Sequence, residues 1–230
     1  MFKELFSDTV SLIYPRTCCG CDSSLIRGEA LICISCQVKL PRSQNHTHSS
    51  EKLRNKFAGK VDIEYAFACL IFVKQGLVQR LLYELKYSGI TQIGELLGNW
   101  LGSEFLLSKQ IQEIDIIVPI PLHKSRLRKR GFNQSEVFSN AFAKKLKIDH
   151  YSGILCRTQS TKTQTRKSRL ARWHNVSSAF NVNKKELIQD KHILLIDDII
   201  TTGATFESAA ITLLEHGAKK VSILAIAATK

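Results

Sequence analysis

Two acids stand together in the run His192-Ile-Leu-Leu-Ile-Asp-Asp-Ile-Ile-Thr-Thr-Gly-Ala-Thr205. Four apolar residues before them read as a buried strand, which delivers Asp197 and Asp198 to the ligand edge of a sheet. Adjacent carboxylates suit the two neighbouring hydroxyls of a ribose, helped by a divalent cation. Thr201, Thr202, Gly203, Ala204 and Thr205 then form a tight turn that opens a helix. The free N–H groups of that turn, its threonine hydroxyls and the helix dipole can surround one phosphate. Gly203 allows close approach of the backbone. Acids at strand ends are common in solvated loops, but the whole run in this order is not.

A second constellation lies near the N-terminus. Cys18-x2-Cys21 and Cys33-x2-Cys36 are two paired-cysteine knuckles. Each turn can aim two thiolates at one ion, and four thiolates close a tetrahedral shell with no position for water. Such a site is structural, and Zn²⁺ is the expected ion. Cys19 competes with Cys18 on type alone, and the C-x2-C spacing favours Cys18. His46 and His48 read as solvated residues, and Cys69 and Cys156 as ordinary core cysteines.

Two basic segments complete the set. Leu122 to Gly131 carries Lys124, Arg126, Arg128, Lys129 and Arg130 after the apolar run Asp115-Ile-Ile-Val-Pro-Ile-Pro121, and reads as a loop. Its cations can neutralise a diphosphate or grip a nucleic-acid backbone. Thr158 to Asn175 reads as a long polar loop, a length that in a compact domain signals function or disorder. Trp173 lies among its cations, where it can stack on a base, whereas Trp100 sits on an amphipathic helix and reads as core.

The elements that position these residues follow from hydrophobic period. Phe2, Leu5, Phe6, Val10 and Ile13 mark a short helix ending at Pro15. Tyr65 to Val73 reads as a strand, Leu77 to Leu85 as a helix stopping near Gly89, and Gly94 to Leu107 as another helix. Asn133 caps a helix running to about Leu146, with Glu136 at the capping-box position. Ile154 to Arg157 is a short strand. A helix follows Gly203 to about His216, and Val221 to Ala227 is the last strand. Alternating strands and helices give an α/β class: a mostly parallel sheet flanked by helices, plus a small N-terminal zinc-binding module. The expected division is residues 1–60 for the helix, knuckles and a polar basic linker from Pro41 to Lys60, and 61–230 for the α/β domain.

Seven cysteines, a net charge of +13 and 230 residues bound the rest. No stretch of about 18 apolar residues is present and no uninterrupted apolar leader opens the chain, so the expectation is a cytoplasmic protein without membrane insertion. Cysteines in a reducing compartment favour metal over disulfides. The excess positive charge favours anionic partners without choosing among them.

The Asp-Asp to Thr205 run resembles the phosphoribosyl-diphosphate signature of type I phosphoribosyltransferases. The resemblance implies that Asp197 and Asp198 hold the ribose 2′- and 3′-hydroxyls, that Thr201 to Thr205 cradle the 5′-phosphate, and that Mg²⁺ bridges the hydroxyls and the diphosphate. It places a pyrophosphate loop at Leu122, His123 and Lys124 with Arg130 nearby. It makes the long loop, with Gln164, Arg169 and Arg172, a flexible hood whose arginines stabilise the departing diphosphate beside Lys124. The layout of knuckles, Lys86-Tyr87, Val118-Pro-Ile-Pro121, Arg130-Gly-Phe-Asn-Gln134, Thr163-Gln164, Arg172, Asn175 and the acidic pair is similar to the ComF (ComFC) family of bacteria, over almost the whole chain. That resemblance implies a role in natural competence, with single-stranded DNA and a competence helicase or DNA-loading protein as expected partners. The acceptor of any phosphoribosyl group stays open. So does the alternative of a nucleic-acid-binding or scaffold protein that keeps the fold without turnover.

Overall fold

The computed structural model describes residues 16–44, 46–158 and 179–229. The expected N-terminal helix, the hood residues Gln164, Arg169 and Arg172, and Trp173 lie outside these. The described elements are α1 (Ile34–Val38), α2 (Glu51–Arg54), β1 (Ala66–Phe72), α3 (Leu77–Tyr83), a π-helical turn (Glu84–Ser88), α4 (Gln92–Phe105), α5 (Lys109–Gln112), β2 (Ile116–Pro119), α6 (Lys124–Arg130), α7 (Gln134–Leu146), β3 (Asp149–His150), β4 (Leu155–Arg157), β5 (Phe180–Val182), a 3₁₀ turn (Lys185–Leu187), β6 (His192–Ile200), α8 (Ala204–Glu215) and β7 (Lys220–Thr229). Five strands form one parallel sheet in the order β1-β7-β6-β2-β3.

β6 is central and apolar on both faces, as a strand covered on two sides must be. Ile193 and Leu195 pack with Phe206 and Leu213 of α8. Leu194 and Ile196 face the other way, into a core with Leu97, Leu101, Phe138 and Phe142 of α4 and α7. Those two helices approach closely because position 98 is glycine: a Cβ there would lie 2.5 Å from the Phe138 carbonyl oxygen.

β4 and β5 form a separate antiparallel pair. Sequence periodicity finds β4 but misses β5 and the two-residue β3, which are too short to show alternation.

Residues 41–60 are not the loose linker their polarity suggests. The backbone runs along the edge of β1, where Ser43 N donates to Cys69 O at 2.9 Å and Ile71 N to Pro41 O at 2.7 Å. This covers an edge strand that would otherwise be unpaired. Ser50 caps α2 by accepting from Leu53 N at 3.3 Å, and Leu53 and Phe57 are buried. His46 is not solvated either: it pairs with Glu104, which also holds Arg42, and lies edge-on to Phe105. Among the described residues, no helix is long and apolar enough to cross a membrane.

Candidate functional site

β2 stops at Pro119, opposite Ile196, so β6 runs on beyond its neighbour. The start of α7 fills the gap. Asn133 anchors it by donating from Nδ2 to the Ile120 carbonyl at 3.0 Å, while its Oδ1 accepts from Ser135 N at 3.2 Å. The first turn of α7 therefore faces the two acids. Gln134 Nε2 donates to Asp198 Oδ2 at 2.7 Å, and Ser135 Oγ donates to Asp197 Oδ1 at 2.8 Å. The positive end of the helix dipole adds to both contacts.

Lys86 completes the arrangement. Its Nζ lies 2.6 Å from Asp198 Oδ2, and both side chains are largely buried. It comes from the π-helical turn, a rare geometry that recurs at functional sites. Burial and then the neighbouring charge of Asp198 push the Asp197 carboxyl up to about 7, against the hydrogen bond from Ser135. Two carboxylates thus share this edge with the single ammonium of Lys86. Two hard carboxylates short of positive charge fit a hard divalent cation such as Mg²⁺.

β6 continues through Ile200 into the turn at Thr201, Thr202 and Gly203, and α8 begins at Ala204. Thr201, Thr202 and Ala204 are exposed, and Thr205 is half-buried. Gly203 is the N-cap at φ +86° and has no side chain to cap α8, whose first N–H, that of Ala204, donates to Thr202 Oγ1 at 3.4 Å. A Cβ there would lie 3.0 Å from Cε1 and Cζ of the buried Phe57 ring. Lys56 Nζ donates to Thr201 O at 2.6 Å. Thus the segment read as a linker forms the floor of the turn and sets a cation beside it. The acids and the helix start share one strand and one sheet edge.

The basic segment after β2 is a helix, α6, and not the loop expected. Lys and Arg are good helix formers, and no apolar stripe was needed to stabilise these two turns. His123 caps it, accepting at Nδ1 from Ser125 N at 3.3 Å, and Leu122 and His123 are half-buried. Lys124, Arg126, Arg128 and Lys129 are exposed, and no residue of α6 is buried. Arg130 alone turns inward, to Gln134, with its guanidinium 5.6 Å from the centre of the Tyr87 ring. On β4, Arg157 packs over the Phe180 ring at 5.3 Å; burial lowers its pKa and the charge of Asp197 opposes that shift.

Sequence reasoning did not single out Gln134, Ser135, Lys56 or Arg157 as site residues, and gave Lys86 no role of its own. The one available signal was the Asn133-Gln-Ser helix start directly after an apolar strand.

At the other end of the chain, Cys18, Cys21, Cys33 and Cys36 have their sulfurs within 4.8 Å of one another. The Cys21 and Cys33 sulfurs are 3.6 Å apart, close to the roughly 3.8 Å edge of a tetrahedron with Zn–S bonds of about 2.3 Å. Backbone N–H groups of Gly20 and Cys33 donate to Cys18 Sγ at 3.3 and 3.2 Å and fix its position in the cluster. The donor set fits Zn²⁺, with Cys18 and not Cys19 in the cluster. Cys69 is wholly buried in the core, as expected, and Cys156 is half-buried on β4.

The fold is a parallel α/β sheet in which an acidic pair and the start of a helix come together near the end of one strand. Residues 106–230 match the phosphoribosyl transferase domain, and the chain belongs to that family. It is 32% identical over 152 residues to DNA utilization protein YhgH of Escherichia coli (strain K12), covering 65% of this chain and 66% of that protein. It is 31% identical over 120 residues to Competence protein F of Haemophilus influenzae, covering 51% and 52%. It is 24% identical over 231 aligned positions to Competence protein ComFC of Bacillus subtilis, covering 89% and 91%. The chain thus spans just under two thirds of the YhgH proteins it matches.

Proposed function

We propose that this protein binds phosphoribosyl diphosphate with Mg²⁺ at the end of β6 and acts as a phosphoribosyltransferase-like protein in DNA uptake. The observation that carries this reading is the junction of Asp197 and Asp198 with the exposed turn at Thr201 and Thr202 and the start of α8. In this reading Asp197 and Asp198 take the ribose hydroxyls, and Thr201 to Thr205 take the 5′-phosphate. Leu122, His123, Lys124 and Arg130 are assigned to the diphosphate, together with Arg169 and Arg172 of the long loop. Asp197 and Asp198 would hold the Mg²⁺, which when bound offsets diphosphate charge and eases its departure. The names of its relatives, Competence protein F, ComFC and DNA utilization protein YhgH, support the assignment to DNA uptake. The four cysteines hold a structural Zn²⁺ that organises a segment too small to form its own core.

Calorimetry with phosphoribosyl diphosphate tests the reading. Binding should require Mg²⁺ and should vanish in Asp198→Ala; unchanged affinity in that variant would refute it.

One observation favours a second role, binding of single-stranded nucleic acid. The cations Lys124, Arg126, Arg128 and Lys129 of α6 all face solvent. Such binding should weaken steeply with salt. An anisotropy titration with no signal at low salt removes it.

A further inference from the structure

The end of α3 and the π-helical turn after it carry a surface that neither the acidic pair nor the zinc module uses. Tyr83 and Tyr87 lie one turn apart with ring centres 4.9 Å apart, and they are 56% and 66% exposed. Scattered single aromatics on a surface are ordinary, but an exposed pair of rings packed together, here tilted by 42°, is not. Its base is rigid, because Leu85 between them is fully buried and Gly89 ends the turn at φ +73°. Arg130 lies 5.6 Å from the Tyr87 ring centre and binds Gln134, which donates to Asp198. Lys86, next to Tyr87 in the chain, closes the circuit on the same carboxylate. Tyr87 is thus linked to the acidic pair through Arg130 and Gln134 on one side and through its chain neighbour Lys86 on the other.

We propose that Tyr87, backed by Tyr83 and flanked by Arg130, is a stacking site for a planar heteroaromatic ring. Three features specify that chemistry. A largely exposed tyrosine ring can stack on any nucleobase. The Arg130 guanidinium over the ring leaves the remainder for a ligand and adds a donor for a ring carbonyl or a phosphate. Arg130 belongs to α6, whose other cations are exposed, and this positive charge favours a nucleobase or nucleotide over a neutral arene. The ring has two sources, a free base serving as acceptor at the sugar site or an unpaired base in a strand. Only the acceptor source rests on the phosphoribosyl-diphosphate reading above.

The test is quenching of 2-aminopurine fluorescence by the full-length protein, with the free base in one arm and a short oligodeoxynucleotide containing it in the other. Both arms are run without the sugar diphosphate, so failure of the sugar reading leaves the measurement intact. Quenching is expected in at least one arm. Tyr87→Ala should weaken it about tenfold or more, while Tyr87→Phe, which keeps the ring, retains it. Tyr87 is exposed, so the alanine variant should fold, and a thermal melt checks this; Tyr83→Ala supplies a second variant with a smaller loss. Quenching by the free base assigns the acceptor source, and quenching by the oligonucleotide alone assigns the strand. No quenching in either arm, or quenching that Tyr87→Ala leaves unchanged, overturns the proposal.

Discussion

Replacing Lys86 with Met should destabilise the ligand-free protein in a way that pH and Mg²⁺ both reveal. Lys86 Nζ is 2.6 Å from Asp198 Oδ2, and the two side chains are only 17% and 12% exposed. Removing one partner of a fully buried ion pair costs about 3–5 kcal/mol. Here the residual exposure and the Gln134 hydrogen bond temper that, so the loss should be on the order of 2 kcal/mol. For a chain of this size that is a fall in melting temperature of about 4–8 °C. The variant leaves Asp197 and Asp198 without their cation, so the pair holds a proton to higher pH in the folded state. A raised folded-state pKa means the native protein binds more protons than the unfolded chain, and stability then falls as pH rises through that interval. The deficit should therefore be larger at pH 8 than at pH 5. Millimolar Mg²⁺ should recover part of it at pH 8, because a divalent cation replaces the missing charge. Thermal melts of both proteins across pH, with and without Mg²⁺, measure all of this. A deficit that is independent of pH and untouched by Mg²⁺ would refute the electrostatic account of the acidic pair.

The Asp197 carboxyl sits near 7 and not at its ordinary 3.8; calorimetry in buffers of differing ionisation heat should show proton release on Mg²⁺–sugar diphosphate binding, and affinity that rises between pH 6 and 8. Gly203→Ala places a Cβ at φ +86° and 3.0 Å from the Phe57 ring; it should cost at least about 1–2 kcal/mol in a denaturant titration, and pairing it with Phe57→Leu should recover part of the loss. Metal analysis should find a single zinc ion per chain, lost in Cys33→Ser but kept in Cys19→Ser, with a lower melting temperature only in the former.

What sequence could and could not disclose follows from the range of the interactions involved. The β6–turn–α8 unit was legible because all its determinants are local: an apolar run, two acids, and a glycine where a side chain would be strained. The zinc knuckles were legible for the same reason, since two residues of spacing fix each pair of thiolates. Lys86 was not, because its role comes from meeting Asp198 across the fold. Gln134 and Ser135 looked only like the start of a capped helix; the early end of β2 is what brings them to the acids. The segment 41–60 misled by composition, since two apolar residues, Leu53 and Phe57, anchor it within a polar background. α6 misled because a helix with no buried residue has no apolar period to detect.

The central claim is that the end of β6 receives a phosphorylated pentose diphosphate, and phosphorus NMR tests it most directly. With Mg²⁺ present, adding the protein to phosphoribosyl diphosphate should broaden the 5′-phosphate resonance together with both diphosphate resonances. The Asp197→Asn, Asp198→Asn double variant should leave them sharp. Resonances that stay sharp with the unaltered protein, or that broaden equally with the double variant, would contradict the account.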